Sequence, residues 1–340
     1  MKIAQIAPLA ESVPPRLHGG TERVVAYLTE ELVRLGHEVT LFASADSQTS
    51  ATLVPCAPRA LRLDPGVRDP WPHHIFMLER VRRRAQEFDV LHFHIEPPLH
   101  FPLFRALPAR TVTTLHGRLD LPDLQPLLAE FRDMPLVSVS RSQRAQRPEL
   151  NWVATVHHGL AAEVCPFNPA PRGDYFAFLG RVSPEKGLTR AIEIARRARV
   201  RLRIAAKVDL ADERHFREAI APQLGGDIEF LGELGEAEKP AFLGNAAGLF
   251  FPIDWPEPFG LAMVEAMACG TPVLAWRNGA APEIVDEGET GFIVDDLAAA
   301  VELVPRLARL DRARVRRRFE SRFSAARMAR DYLAVYRSAA

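Results

Sequence analysis

Two glutamates separated by seven residues, Glu257 and Glu265, stand in the segment DWPEPFGLAMVEAMACGTPV. Glu265 is the lone charge in LAMVEAMAC, a run that reads as an apolar helix from Gly260 to Cys269, stopped by Gly270. A carboxylate buried there without a partner is costly. A sugar diol is a fitting partner, because one carboxylate accepts two hydroxyl hydrogen bonds. The competing reading is a structural salt bridge for Glu265 and a plain loop position for Glu257. The amides of Phe259, Gly260 and Leu261 face forward from the helix start as donors. A second cluster, GRVSPEKG, runs from Gly180 to Gly187 at the end of the strand YFAFL. Ser183 is a good helix cap and Pro184 a good first helical residue. Arg181 and Lys186 then flank a helix start at the carboxyl end of a strand. Two cations and free amides there suit a phosphate-bearing ligand. The plain alternative is two surface cations beside a capped helix.

Histidines form the third set. His116 follows the strand TVTTL, at the carboxyl end where open α/β sheets bind ligands. Otherwise it satisfies local backbone groups. Arg118 and Asp120 follow it and point to an acceptor. His92 and His94, in VLHFHI, share one strand face. An H-x-H also opens the metal site of amidohydrolase-like barrels, but that reading needs eight βα units and further ligands. Core or acceptor-side histidines are expected instead.

The elements that must hold these residues alternate: apolar strand, loop, amphipathic helix. Strands are expected at residues 2–7, 38–42, 90–94, 111–115 and 136–139, with helices at 21–35 (ended by Gly36) and 73–88. After a stretch rich in proline, the rhythm restarts with strands at 175–179, 201–206, 228–231, 248–252, 272–275 and 291–294. Helices at 184–197, 213–223, 236–245 and 260–269 separate them. This is the signature of βαβ units and parallel sheets. The expected division is an N-terminal Rossmann-like acceptor domain over 1–159, a linker over 160–173, and a donor domain over 174–323. A helix over 324–340, with Met328, Tyr332 and Val335 on one side, returns to the first domain. An arginine run (Arg312, Arg314, Arg316, Arg317, Arg318) reads as a solvated helix face near a helix C-terminus rather than a membrane or acidic-partner patch.

The bulk numbers bound the rest. At 340 residues the chain fits two domains, and 47% hydrophobic residues can fill two cores. Lys+Arg and Asp+Glu are both 43, so no basic field exists to gather nucleic acid. Cys56, Cys165 and Cys269 are sparse and odd in number, which points to reduced thiols and a cytoplasmic protein. The opening MKIAQIAPLA reads as a first buried strand rather than a signal peptide. Nothing approaches the ~18 apolar residues of a membrane span, so membrane association is not expected.

Taken together, the E-x7-E pair and GRVSPEKG resemble the retaining GT-B transferases of glycosyltransferase family 4. HGGTERVVAYLTEELVRLGHEVTLF resembles that family's N-terminal glycine loop and first helix, and GTPVLAWRNGAAPEIVDEGETGFIV its nucleotide domain. The resemblance covers nearly the whole chain. It implies an α/β GT-B fold: two Rossmann-like parallel-sheet domains facing across a cleft, with the C-terminal helix crossing back. It implies transfer of a hexose, glucose or mannose, from a nucleotide diphosphate sugar to a hydroxyl acceptor, with retention. UDP-glucose is the first donor choice and GDP-mannose the second. By the same resemblance, Glu265 binds the ribose hydroxyls and Glu257 the donor sugar. Arg181 and Lys186 bind the diphosphate, with Gly180 beside them. Gly19 and Gly20 admit close backbone approach, and His116 contacts the transferred sugar. VHHGL, where the family commonly has Asn before Gly, departs at His158.

No metal and no cofactor are expected. No Asp-x-Asp occupies a suitable loop, and Arg181 with Lys186 can stabilise the leaving charge. The acceptor region is placed around residues 9–20, 92–101 and 116–121. Two other classes stand beside this reading. One is a glycoside hydrolase or phosphorylase using Glu257 and Glu265 as an acid/base pair. The other is a non-catalytic nucleotide-sugar sensor.

Overall fold

The apolar runs form strands, and the central ones are buried along their whole length, as parallel sheets covered on both faces require. The computed structural model describes residues 1–17, 19–107 and 110–339. Two compact units result: Met1–Gly159 together with the segment from Ala325 onward, and Leu160–Ser324. In the first, strands β1 (Lys2–Ile6), β2 (Glu38–Ser44), β3 (Thr52–Ala57), β4 (Val90–Phe93), β5 (Thr111–Leu115), β6 (Leu136–Ser138) and β7 (Trp152–Thr155) make one sheet in the order β3-β2-β1-β4-β5-β6-β7. In the second, β8 (Tyr175–Arg181), β9 (Arg201–Lys207), β10 (Ile228–Gly232), β11 (Gly248–Phe251), β12 (Val273–Trp276) and β13 (Gly291–Val294) are ordered β10-β9-β8-β11-β12-β13. All pairings are parallel. The fold is therefore two Rossmann-like α/β sheets, as expected.

Each sheet reverses its winding once, between β1 and β4 and between β8 and β11. These are topological switch points, where the loops leaving neighbouring strands diverge and open a crevice at the carboxyl ends.

Local sequence explains the helices beside those crevices. The Gly20–Arg34 helix buries Val24, Val25, Leu28 and Leu32, one stripe at helical spacing. Each such side chain contributes about 1.5–3 kcal/mol by leaving water. Gly36, at φ +84, ends it: Gly36 N–H donates to Val33 O and His37 N–H to Leu32 O. The same paired bonds close the Leu261–Ala268 helix, from Gly270 to Met267 O and from Thr271 to Ala266 O. Both are Schellman motifs, whose left-handed residue glycine adopts without a Cβ penalty.

Several expectations are corrected. Strands β3 and β7 had no place in the sequence reading. Both are edge strands, paired on one side, and β3 carries Pro55, which an edge tolerates. The helix expected at 213–223 is a succession of short turns with a π segment at Phe216–Ile220. The helix expected from Pro184 begins at Leu188, after a single 3₁₀ turn.

The arginine run opens a helix, Arg312–Arg322, that Asp311 caps, rather than lying near a helix C-terminus. It is also not simply solvated. Arg312 donates to Asn168 O, Gly244 O, Ala246 O and Thr271 Oγ1 at 2.8–2.9 Å. Arg316 donates to Cys165 O and Ala268 O. These bonds tie residues 160–173, read as a linker, into the second unit. The C-terminal helix, Ala325–Ala339, belongs to the first unit, with Tyr332 and Tyr336 fully buried.

Candidate active site

In the second unit the candidate residues gather at the β8/β11 switch point. Arg181 ends β8. The chain then makes the Pro184–Lys186 turn and swings left-handed at Gly187, φ +73. A Cβ on Gly187 would lie 1.9 Å from Pro252 O, so only glycine lets this turn meet the loop after β11. The two loops are also joined by Asp254 N–H donating to Glu185 O at 2.7 Å and by Arg190 pairing with Asp254 at 2.7 Å. Ser183 makes no side-chain cap here, contrary to its expected role.

That junction sets Lys186 Nζ 2.5 Å from Glu257 Oε2 and 4.9 Å from the Trp255 ring centroid. The two side chains are 17% and 15% exposed, so the pair is largely withdrawn from water yet open on one side. Glu257 is held from behind. Ala280 N–H donates to Glu257 O at 2.9 Å, and a Cβ on Gly279 would lie 2.3 Å from Glu257 N and O. Arg181 stands 3.5 Å from both Asp209 and Glu185, a loose hold for a guanidinium that can bond carboxylates or phosphates through two N–H groups. Lys207, in register with Arg181, donates to Asp209 at 2.7 Å and keeps that carboxyl below its usual range. Cations and carboxylates thus alternate around the crevice. Gly260 enters the Leu261–Ala268 helix at φ +86, where a Cβ would meet Met263 Cε at 2.6 Å. Phe259 is buried just before it, and Glu265 is buried on that helix. Gly180 lies within β8, where a Cβ would meet Phe178 at an ordinary 3.7 Å.

In the first unit the loops after β1, β4 and β5 carry the candidates. His116 follows β5. Its amide and that of Gly117 donate to Glu96 Oε1, in the loop after β4, while Gln143 Nε2 donates to Leu115 O and Gly117 O at 3.0 Å. The His116 ring stacks on His158 with centroids 5.0 Å apart, and its Nε2 is 2.9 Å from His94 Nδ1. Burial pushes the His116 imidazole down to about 3 and lowers His92, His94 and His158 as well. His92 bonds Tyr336 Oη and Thr114 Oγ1, each at 2.7 Å. His92 and His94 are wholly buried and neither presents an atom to solvent, which is the core place among the two expected for them. Among the described residues, no group of three or more His, Cys, Asp or Glu forms a metal cluster.

Residues 8–17 leave β1 and are anchored by Leu9 N–H to His74 Nε2 (3.3 Å) and Val13 N–H to Ser47 Oγ (2.9 Å). A Cβ on Gly19 would lie 2.7 Å from Pro15 Cβ, so the position requires space rather than an unusual dihedral. Gly20 opens the following helix, and His18 of the same motif lies outside the described residues. Arg118 and Asp120 pair with each other at 2.7 Å on the surface beyond His116.

Comparison with known proteins decides what this arrangement belongs to. Residues 18–166 match Glycosyltransferase Family 4, and residues 167–321 match Glycosyl transferases group 1. The chain belongs to glycosyltransferase family 4. The phosphatidyl-myo-inositol mannosyltransferase of Mycolicibacterium smegmatis is 29% identical over 88% of this chain and 84% of its own. A glycogen synthase of Mycobacterium tuberculosis is 26% identical over 95% and 93%. The glycosyltransferase of avilamycin A biosynthesis superposes with a TM-score of 0.74 at 24% identity, covering 99% and 97% of the two chains. Anabaena HepE, solved with UDP, superposes with a TM-score of 0.75 at 18% identity, covering 99% and 100%.

In this family 4 glycosyltransferase, which uses a nucleotide sugar, several of the expected residues stand at the carboxyl ends of strands in the two sheets. Arg181, Lys186 and Glu257 are brought together in the second unit; His116 and the glycine loop stand in the first. Residues the sequence did not single out are Lys207, Asp209, Trp255 and Gly279 around Glu257 and Arg181, and Glu96, Gln143 and Gln5 behind His116. Of these, Trp255 lies in DWPEPFGLAMVEAMACGTPV, Glu96 in the 92–101 stretch expected near the acceptor, and Gly279 in RNGAAPE, inside the segment that resembles the family; Lys207, Asp209, Gln143 and Gln5 had no local sign.

Proposed function

We propose that the transferase moves a hexose, glucose or mannose, from a nucleoside diphosphate to a hydroxyl acceptor, with retention and without a metal ion. The observation that carries this reading is the Lys186–Glu257 pair beside Arg181 at the β8/β11 switch point. Arg181 and Lys186 take the diphosphate as fixed charges aimed where negative charge grows as the sugar leaves. Glu257, released from part of its bond to Lys186, accepts from hydroxyls of the donor sugar, and Glu265 from the ribose. His116 meets the transferred sugar. The bond from the sugar C1 to the phosphate oxygen breaks, and the acceptor oxygen bonds C1 from the same face. Its proton passes to the departing phosphate oxygen. Arg118 and Asp120 face the acceptor.

UDP-glucose is the first donor. HepE has been solved with UDP-glucose, which supports that choice by analogy of fold. GDP-mannose is the second, favoured by the mannosyltransferase names of relatives at 27–29% identity. Calorimetry with UDP, GDP and ADP, followed by transfer assays with and without EDTA, tests the reading. One nucleoside diphosphate should bind best, and turnover should survive the chelator. Loss of activity restored by Mg²⁺ or Mn²⁺ would remove the metal-free mechanism.

A further inference from the structure

Arg181 and Lys207 are neighbours in the second sheet. β8 and β9 pair in a register that sets Arg181 opposite Lys207, and Val182 N–H donates to Lys207 O at 2.8 Å just beyond. Side chains alternate faces along each strand, so residues in register leave the same face. Two cations therefore stand side by side at the carboxyl ends of β8 and β9, where like charges repel. Asp209, two residues past the end of β9, lies between them. Its Oδ1 accepts from Lys207 Nζ at 2.7 Å, and its Oδ2 is 3.5 Å from Arg181 Nη1. One carboxylate is thus divided between two cations, and unequally.

Arg181 is held no more tightly on its other side, where Glu185 Oε1 is 3.5 Å from Nη2. Other arginines of the same unit close on the carboxylates beside them. Arg203 reaches Glu229 at 2.6 Å, and Arg190 reaches Asp254 at 2.7 Å. Such bonds ordinarily settle at about 2.7–2.9 Å, and the planar fork favours two at once. Asp209 lies within reach of closing on Arg181 and does not. Lys207 accounts for this. Its ammonium holds Oδ1, and it does more than Arg181 to keep the Asp209 carboxyl below its usual range.

We infer that Lys207 is a positioning residue for Arg181: by holding Asp209, it stops that carboxylate from closing on the guanidinium and leaves the Arg181 fork to the donor diphosphate. This role rests on the diphosphate contact proposed for Arg181. A carboxylate and a phosphate compete for the same planar N–H groups. Were Asp209 closed on Arg181, the nucleotide would first have to break that pair, and its affinity would fall by the fraction of molecules left open. With Lys207 engaged, the free protein already holds Arg181 in the open arrangement. Lys207 thus acts on the nucleotide through Asp209 and Arg181, without touching it.

Calorimetry on the full chain with UDP, GDP and ADP finds the nucleotide that binds best, which is then titrated into variants. Lys207→Met keeps the side-chain stem and removes the ammonium. It should weaken the diphosphate about fivefold, the upper range for a partly exposed ion pair newly closed in the free protein. The matching nucleoside should hardly change. Adding Asp209→Asn to Lys207→Met removes the competing charge and should bring affinity back to within about twofold of natural. In an Arg181→Ala background, Lys207→Met should cost less than about twofold, because nothing remains for Asp209 to close on. That arm separates positioning from charge alone: a lysine touching the phosphate, or acting through its field, weakens binding whether Arg181 is present or not. The full loss in the Arg181→Ala background overturns the positioning role. So does a loss that Asp209→Asn fails to relieve, and so does natural affinity in Lys207→Met. Natural affinity in Arg181→Ala, or no binding by any of the three nucleotides, would instead remove the diphosphate role of Arg181 and the positioning role with it.

Discussion

Lys186 Nζ and Glu257 Oε2 are 71 residues apart in sequence and 2.5 Å apart in the fold. A buried pair of this kind adds little stability by itself, but removing one partner strands the other. Lys186→Ala, like Arg181→Ala, should weaken UDP binding by about 10- to 100-fold, the size of a charge-assisted hydrogen bond. Uridine, which lacks the phosphates, should be affected far less. Calorimetry with both ligands decides it, and equal losses would take the diphosphate role from these cations.

The two glutamates should separate kinetically. Glu265→Gln should raise the donor constant, because ribose is held alike in ground and transition states. Glu257→Gln should cut turnover more, because the sugar it touches changes charge during transfer. Steady-state kinetics with the reverse pattern would exchange or remove both assignments.

Gly279 tests how the Glu257 backbone is held. At φ +55 and 2.3 Å from Glu257 N and O, a Cβ is both strained and blocked. Gly279→Ala should cost about 1–3 kcal/mol of stability in the second unit. It should also lower turnover while leaving uridine binding intact. Natural turnover and melting temperature in Gly279→Ala would show that the loop yields freely.

Acid should destabilise the first unit early. Burial pushes His100 down to about 3, with its ring stacked on Phe93 and bonded to Thr113 Oγ1 at 2.7 Å; His92 and His94, equally buried, are lowered too. At His100 the unfolded chain takes up a proton below about 6.5, and the folded chain does not until near 3; at His92 and His94 the folded chain likewise takes its proton at lower pH than the unfolded one. Stability therefore falls as pH drops through that window, by about 1.4 kcal/mol per pH unit for each such histidine. Melting curves between about pH 7.5 and 5 read this directly, and a Tm that stays flat would contradict it.

Much of the molecule was written locally in the chain. Apolar runs broken by glycine and proline are enough for parallel α/β units, because each strand and helix is specified by its own periodicity. Gly36 and Gly270 end helices by a backbone requirement confined to a few residues. The Glu257/Glu265 spacing and GRVSPEKG were legible for the same reason. What tertiary structure alone decided is which distant groups meet. Lys207 reaches Asp209 beside Arg181 because β9 pairs with β8 in one register. The role of Arg312 depends on carbonyls up to 144 residues away, so a run of like charges read as solvated turned inward. Tyr336 touches Gln5 across 331 residues, and nothing near either residue announces the other. Buried polar side chains are cheap only when paired, and their partners are set by how sheets and helices stack, which no local pattern encodes.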